Sequence, residues 1–229
     1  MCANIKFRKT EPKQFLNYID SDEIEYLVKL FEDKPKIKNS KILSHIVINE
    51  TEYVNYLVDR LKEEFGNFKL RSATIWEATE PHNIHNNDSL QTPGHGYLGF
   101  VFPLYHEGGI VENAKLIFFH QYYYKGAAKF YADKNNKKRE VFYNQLVTDY
   151  KDVMYKSKGV WSTTDKTFKD KYLSQIKDSW LDGLSLQTSF PWTIGSMMKF
   201  DVCQLHVASN FKKVGIKRKI AMSLFTDVL

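Results

Sequence analysis

Two blocks of short β-branched and aromatic runs, separated by a stretch of different texture, most constrain what this chain can fold into. The first block holds runs at 68–78, 97–104 and 115–120; the second holds runs at 183–187, 195–206 and 217–225. Gly, Pro and Asn separate them, as strand-connecting turns require. Between the blocks, Val141, Phe142, Leu146, Val153 and Met154 recur at helical spacing within 137–155, and Phe168, Tyr172 and Ile176 repeat that pattern. The first third also reads as helical. Asp20 with Glu23 forms a capping box ahead of Ile24, Leu27, Val28 and Phe31, and Pro35 bars continuation. A second helix is expected after Asn49, with Glu52 placed for a capping box and Gly66 as its stop. These patterns predict one mainly β domain of the α+β class, a double-stranded β-helix or cupin-like jelly-roll barrel. Its parts are a helical buttress at 1–67, a strand block at 68–124, a helical insert at 125–180 and a second strand block at 181–229.

Bulk properties narrow the chemistry. With 229 residues, 43% of them hydrophobic and 15% aromatic, the chain can bury a sizeable core. No apolar run reaches the roughly 20 residues that span a bilayer, so no membrane partner is expected. The N-terminus lacks the apolar stretch of a secretory signal, and Cys2 and Cys203 are the only cysteines. A disulfide framework is not expected, and a reducing cytoplasmic setting fits. Any metal must then be held by His and carboxylate. The formal charge of +6 gathers in Lys134, Lys137, Lys138 and Arg139, and in Lys212, Lys213, Lys217, Arg218 and Lys219. Such clusters suit either a solvated face or a polyanion, so nucleic acid stays open as a partner.

Five of seven histidines lie between 82 and 120. His85 stands out because it follows a strand and has Asp88 nearby. His206 ends an apolar run in which Phe200, Val202, Gln204 and His206 share one face by alternation. A buried imidazole needs a partner, which a metal or a neighbouring side chain supplies. In the last run, Arg218, Ile220, Met222 and Leu224 share one face, and Lys217, Lys219, Ala221 and Ser223 the other. The apolar face is read as the interior, so Arg218 is the expected inward cation and needs a carboxylate partner from a ligand or the protein. Two imidazoles and one carboxylate, here His85, His206 and Asp88, are the donor set of open iron(II) sites. Trp76, Tyr97, Tyr105, Tyr122, Tyr123 and Tyr124 are candidates for the barrel mouth.

This arrangement resembles the iron(II)- and 2-oxoglutarate-dependent oxygenases from about Leu70 to the C-terminus. Gly99-Phe100-Val101-Phe102-Pro103-Leu104, Ile117-Phe118-Phe119-His120-Gln121 and Phe200-Asp201-Val202-Cys203-Gln204-Leu205-His206 are similar to small members from bacteriophages and marine bacteria. For a phage protein the setting would be the host cytoplasm. The resemblance implies iron(II), 2-oxoglutarate and molecular oxygen, with His85 and His206 as ligands and Arg218 as cosubstrate anchor. It implies oxidation of an unidentified substrate, most often hydroxylation, with release of succinate and carbon dioxide. One position departs from the pattern. The acid expected two residues after His85 is Asn87, so Asp88 is expected to reach the metal through a loop bulge. Otherwise Asn87 binds weakly or leaves room for chloride, an arrangement the family associates with halogenation. Two rival readings remain, a cupin-type metal enzyme without 2-oxoglutarate and a non-catalytic jelly-roll or nucleic-acid-binding protein.

Overall fold

The computed structural model describes residues 10–38, 42–89, 95–110, 113–123, 126–127, 129–130, 140–142, 145–147, 166–181 and 184–229. Helix α1 (Ser21–Asp33) begins with the expected capping box: the Asp20 side chain accepts from Glu23 N–H, and the Glu23 side chain from Asp20 N–H. Helix α2 (Glu52–Phe65) ends at Gly66, whose φ of 88° suits glycine. Its cap differs from expectation. Thr51 accepts from Val54 N–H, while the Asn49 side chain accepts from Ala73 N–H.

The strands are β1 (Lys13–Phe15), β2 (Ile37–Lys38), β3 (Leu43–Val47), β4 (Lys69–Ala78), β5 (Gly96–Glu107), β6 (Lys115–Tyr122), β7 (Glu140–Phe142), β8 (Gln145–Val147), β9 (Leu186–Pro191), β10 (Met197–Asp201), β11 (Gln204–Ala208) and β12 (Arg218–Asp227). One sheet has the order β1-β10-β5-β12-β4-β3-β2, and a smaller one has β11-β6-β9. Pairing within both is antiparallel. A short helix α3 (Lys166–Tyr172) and a single turn α4 (Asp178–Leu181) precede β9.

Three apolar layers follow. Leu27, Phe31, Leu57 and Leu61 of the helices pack on Ile75, Phe100, Ile220 and Met222 of the large sheet. Phe118, Phe200, Met198, Trp192 and Ala221 fill the space between the sheets. Ile117, Phe119, Leu205, Val207, Leu173 and Trp180 cover the back of the small sheet. Strand β12 is therefore buried on both faces, which its apolar alternation alone does not reveal.

Two expectations need correction. The run at 195–206 is not one strand: the chain turns at Val202-Cys203, leaving β10 in the large sheet and β11 in the small one. The turn is held by the Asp201 carboxylate, which accepts from Cys203 N–H at 2.8 Å. Phe200 and His206 therefore reach the same interior from opposite sheets, their ring centroids 4.8 Å apart. In the expected helical insert, Val141, Phe142 and Leu146 lie in the β7–β8 hairpin. Val153 and Met154 lie outside the described residues. Both rows of β-branched and aromatic residues suit strands, and a three-residue gap cannot distinguish the two periods.

Candidate active site

A cavity of about 310 Å³ opens between the sheets, lined by His45, Trp76, His82, His85, Asn87, Lys129, Trp192, His206, Lys219 and neighbouring apolar and hydroxyl side chains. The loop after β4 enters it through mutual backbone hydrogen bonds: His85 N–H to His206 O at 3.0 Å and His206 N–H to His85 O at 2.9 Å. Asn87 N–H donates to Val202 O at 2.7 Å and extends this seam. Backbone pairing, rather than side-chain chance, brings the imidazoles together, with ring centroids 4.4 Å apart.

Each imidazole is oriented from behind. Nδ1 of His85 lies 2.7 Å from Asn83 O, and Nδ1 of His206 lies 2.8 Å from Gln204 O. A main-chain carbonyl can only accept, so Nδ1 carries the hydrogen and the Nε2 lone pair is left for a ligand. Burial lowers the His85 pKa to about 4 and that of His206 well below its ordinary value. Both rings are thus neutral near pH 7, the form that coordinates a metal.

Asp88 does not join them. Its side chain is fully buried, 4.0 Å from the Arg71 guanidinium, and accepts from Gly96 N–H at 3.3 Å. A Cβ at position 96 would collide with this carboxylate and with Val202, so glycine permits the close approach. Arg71 also donates to Asn87 O and to Asp227 at 3.1 Å. Asp88 is thereby engaged beside the cavity, while Asn87 faces into it. Among the described residues, no three His, Cys, Asp or Glu side chains are arranged to hold a metal ion. The donor set suits iron(II) at two positions and lacks the carboxylate.

Arg218 lies on the opposite face of β12 from the cavity. Its guanidinium donates to Glu77 at 2.7 Å, Glu107 at 3.1 Å and Glu32 at 3.2 Å. The hydrogen bond to Glu77 contributes most to raising its pKa. Its expected inward position is overturned because the face it shares with Ile220 and Met222 packs on the helices, not on the other sheet. Lys219 occupies the inward position. It is 1% exposed, and its ammonium sits 3.7 Å from the Trp192 ring centroid and 4.5 Å from that of Phe211. Nζ has no hydrogen-bond partner among the described residues, and burial pushes its pKa down to about 7. His45 Nδ1, His82 Nε2 and Trp192 Nε1 are likewise buried without partners among the described residues, and these residues all line the cavity. Such unpaired groups point to a polar occupant. Sequence reading placed Lys219 on the solvent face of β12 and gave His82 no role; the second face of β12 and a histidine three residues before His85 were the available signals.

The second basic cluster is dispersed rather than pooled. Lys212 pairs with Glu80, Lys213 donates to Asp170 O, and Lys217 pairs with Glu107. Residues 134 and 137–139 lie outside the described residues. No described helix is long and apolar enough to cross a membrane.

No protein-family model matches the chain, and no curated protein matches it. Solved structures do. The 2-oxoglutarate-dependent epimerase SnoN of nogalamycin biosynthesis aligns over 97% of this chain and 78% of its own, with a TM-score of 0.55 at 11% identity. HygX from Streptomyces hygroscopicus, solved with nickel, 2-oxoglutarate and hygromycin B, aligns over 96% and 84%, with a TM-score of 0.54 at 10% identity. The carbocyclase SnoK aligns over 97% and 83%, with a TM-score of 0.52 at 11% identity. The chain has the double-stranded β-helix fold of the iron(II)- and 2-oxoglutarate-dependent oxygenases.

Proposed function

We propose that this chain is an iron(II)- and 2-oxoglutarate-dependent oxygenase in which Lys219, not Arg218, anchors the cosubstrate. The observation that carries this reading is the buried Lys219 ammonium, without a partner among the described residues, in a cavity also lined by His85 and His206. A buried cation without a counter-ion is costly, and a carboxylate delivered by a ligand removes that cost. 2-Oxoglutarate fits both ends of the arrangement, with its distal carboxylate towards Lys219 and its keto acid towards the histidines. His85 and His206 would hold the metal through Nε2, their Nδ1–H groups fixing ring orientation. With metal, keto acid and molecular oxygen bound, the chemistry supplied is oxidation of a second substrate with release of succinate and carbon dioxide. Hydroxylation is the expected outcome for an unidentified substrate. Phe118, Phe200 and Trp192 exclude water from the reacting region and Asn87 offers it an amide.

Anaerobic titration with iron(II) and then 2-oxoglutarate tests the reading through the visible charge-transfer band of the chelate. The band is expected in the wild type and in Arg218→Ala. Lys219→Ala should weaken 2-oxoglutarate binding by about 30-fold or more, the scale of losing one partner of a buried charge pair. Metal binding without any 2-oxoglutarate band in the wild type would overturn it.

A further inference from the structure

The missing carboxylate leaves the third ligand position to be explained, and the cavity contains one more imidazole. His82 lies three residues before His85, with its ring centroid 5.8 Å from that of His85 and 6.1 Å from that of Trp76. Its Nε2 is buried with no hydrogen-bond partner among the described residues, although an imidazole nitrogen normally has one. Among the described residues, the cavity lining includes no Asp, Glu or Cys that could compete as a metal ligand. Asp88, the acid nearest His85 in sequence, is engaged by Gly96 N–H close to Arg71.

We propose that His82 is a metal ligand, so that His82, His85 and His206 form an all-imidazole site in place of two histidines and a carboxylate. This rests on the reading of His85 and His206 as ligands. The three rings do not already surround one point, so binding must turn His82 from Trp76 towards its neighbours. Rings coordinated to one ion through nitrogen at roughly 2 Å have centroids about 4.5–6 Å apart. The His82–His85 and His85–His206 separations of 5.8 and 4.4 Å are close to that range. Three neutral donors leave the full charge of a divalent ion in the site. Such a set favours later first-row metals more than a carboxylate site does. It also makes the site more dependent on an anionic ligand for charge balance.

The test uses the full-length, metal-free chain and one equivalent of copper(II). Nitrogen hyperfine structure in the electron paramagnetic resonance spectrum should report three imidazoles in the wild type and two in His82→Gln. Copper affinity should fall about tenfold or more in His82→Gln, at least the loss typical for groups that merely support a ligand. Asp88→Asn should keep both the nitrogen count and the affinity. His82→Cys provides a second arm, because a thiolate in a ligand position gives cobalt(II) a strong near-ultraviolet charge-transfer band. That band decides the matter if His82→Gln fails to fold by circular dichroism, and its absence in folded His82→Cys overturns the proposal. Unchanged copper binding in His82→Gln, with loss in His85→Gln and His206→Gln, overturns the His82 assignment alone. Metal binding indifferent to His85→Gln and His206→Gln overturns the functional reading as well.

Discussion

Arg218 and Lys219 are adjacent and carry the same formal charge, but β12 sends them to different environments. Arg218 is held by three carboxylates at the rim, whereas Lys219 is enclosed by aromatic rings without a hydrogen-bond partner. The alternation of β12 was legible, but not which face meets the other sheet. Ile220, Met222 and Leu224 are as buried as Ala221 and Ser223, and polarity cannot rank two buried faces. A test at this scale follows from the cost of burying an ammonium. Lys219→Met should stabilise the ligand-free protein by about 1–4 kcal/mol near pH 7, because an apolar chain replaces a desolvated charge. The pH dependence has a definite sign. Lys219 has a folded pKa of about 7, below the 10.5 of the unfolded chain, so the unfolded state binds the extra proton between those values. Wild-type stability should therefore gain on that of Lys219→Met as pH rises from 7 to 9, by about 1.4 kcal/mol per unit. Urea melts of both proteins across this range check it; parallel profiles would mean that Lys219 is well solvated.

At the scale of elements, legibility followed how local the determining chemistry is. The cap of α1 needs only Asp20 and Glu23, and both sides of the box form as expected. Asp20→Ala should cost about 1 kcal/mol of stability, the usual value of such a cap, and leave metal and 2-oxoglutarate binding unchanged. A urea midpoint indistinguishable from wild type would show that tertiary packing alone fixes this terminus. The cap of α2 departs from its sequence pattern because Asn49 serves a strand: its amide oxygen accepts from Ala73 on β4. The same competition explains the candidate site. That His85 and His206 come together was legible because His85 follows β4 and His206 lies on the cavity side of β11. Asp88 was not, since its direction is set by Gly96 on β5 and Arg71 on β4, contacts distant from or invisible to local spacing. The split of β10 from β11 also depends on a single turn, Asp201 to Cys203, inside a mostly apolar run without Gly or Pro.

The whole molecule gathers three neutral histidines, His206 buried and His82 and His85 half-buried, around one cavity, and its acid stability should reflect that. Burial lowers His82 to about 3, His85 to about 4 and His206 well below 6.5, so the folded state excludes protons that the unfolded chain accepts. Asp201 opposes this. Burial raises its pKa to about 7, and the folded chain keeps a proton that the unfolded chain releases above about 4. Between roughly pH 6 and pH 4 the unfolded state therefore binds about two more protons at these four sites. Metal-free protein should lose about 2.7 kcal/mol per pH unit across that window. A domain of ordinary stability, about 5–15 kcal/mol, would spend much of it within two or three units. His82→Gln should make the profile shallower by about one proton, and Asp201→Asn should steepen it by one. Urea midpoints of the three proteins between pH 4 and 7 measure both changes. A flat wild-type profile would mean that water reaches the imidazoles and that the cavity is not the dry, ligand-seeking site described above. The profile has a further consequence for the loaded protein. A divalent metal competes with protons for the same nitrogens, so loading should shift the acid transition to lower pH wherever binding exceeds proton affinity. The size of that shift in His82→Gln compared with wild type would measure, independently of turnover, how many of these histidines the metal engages.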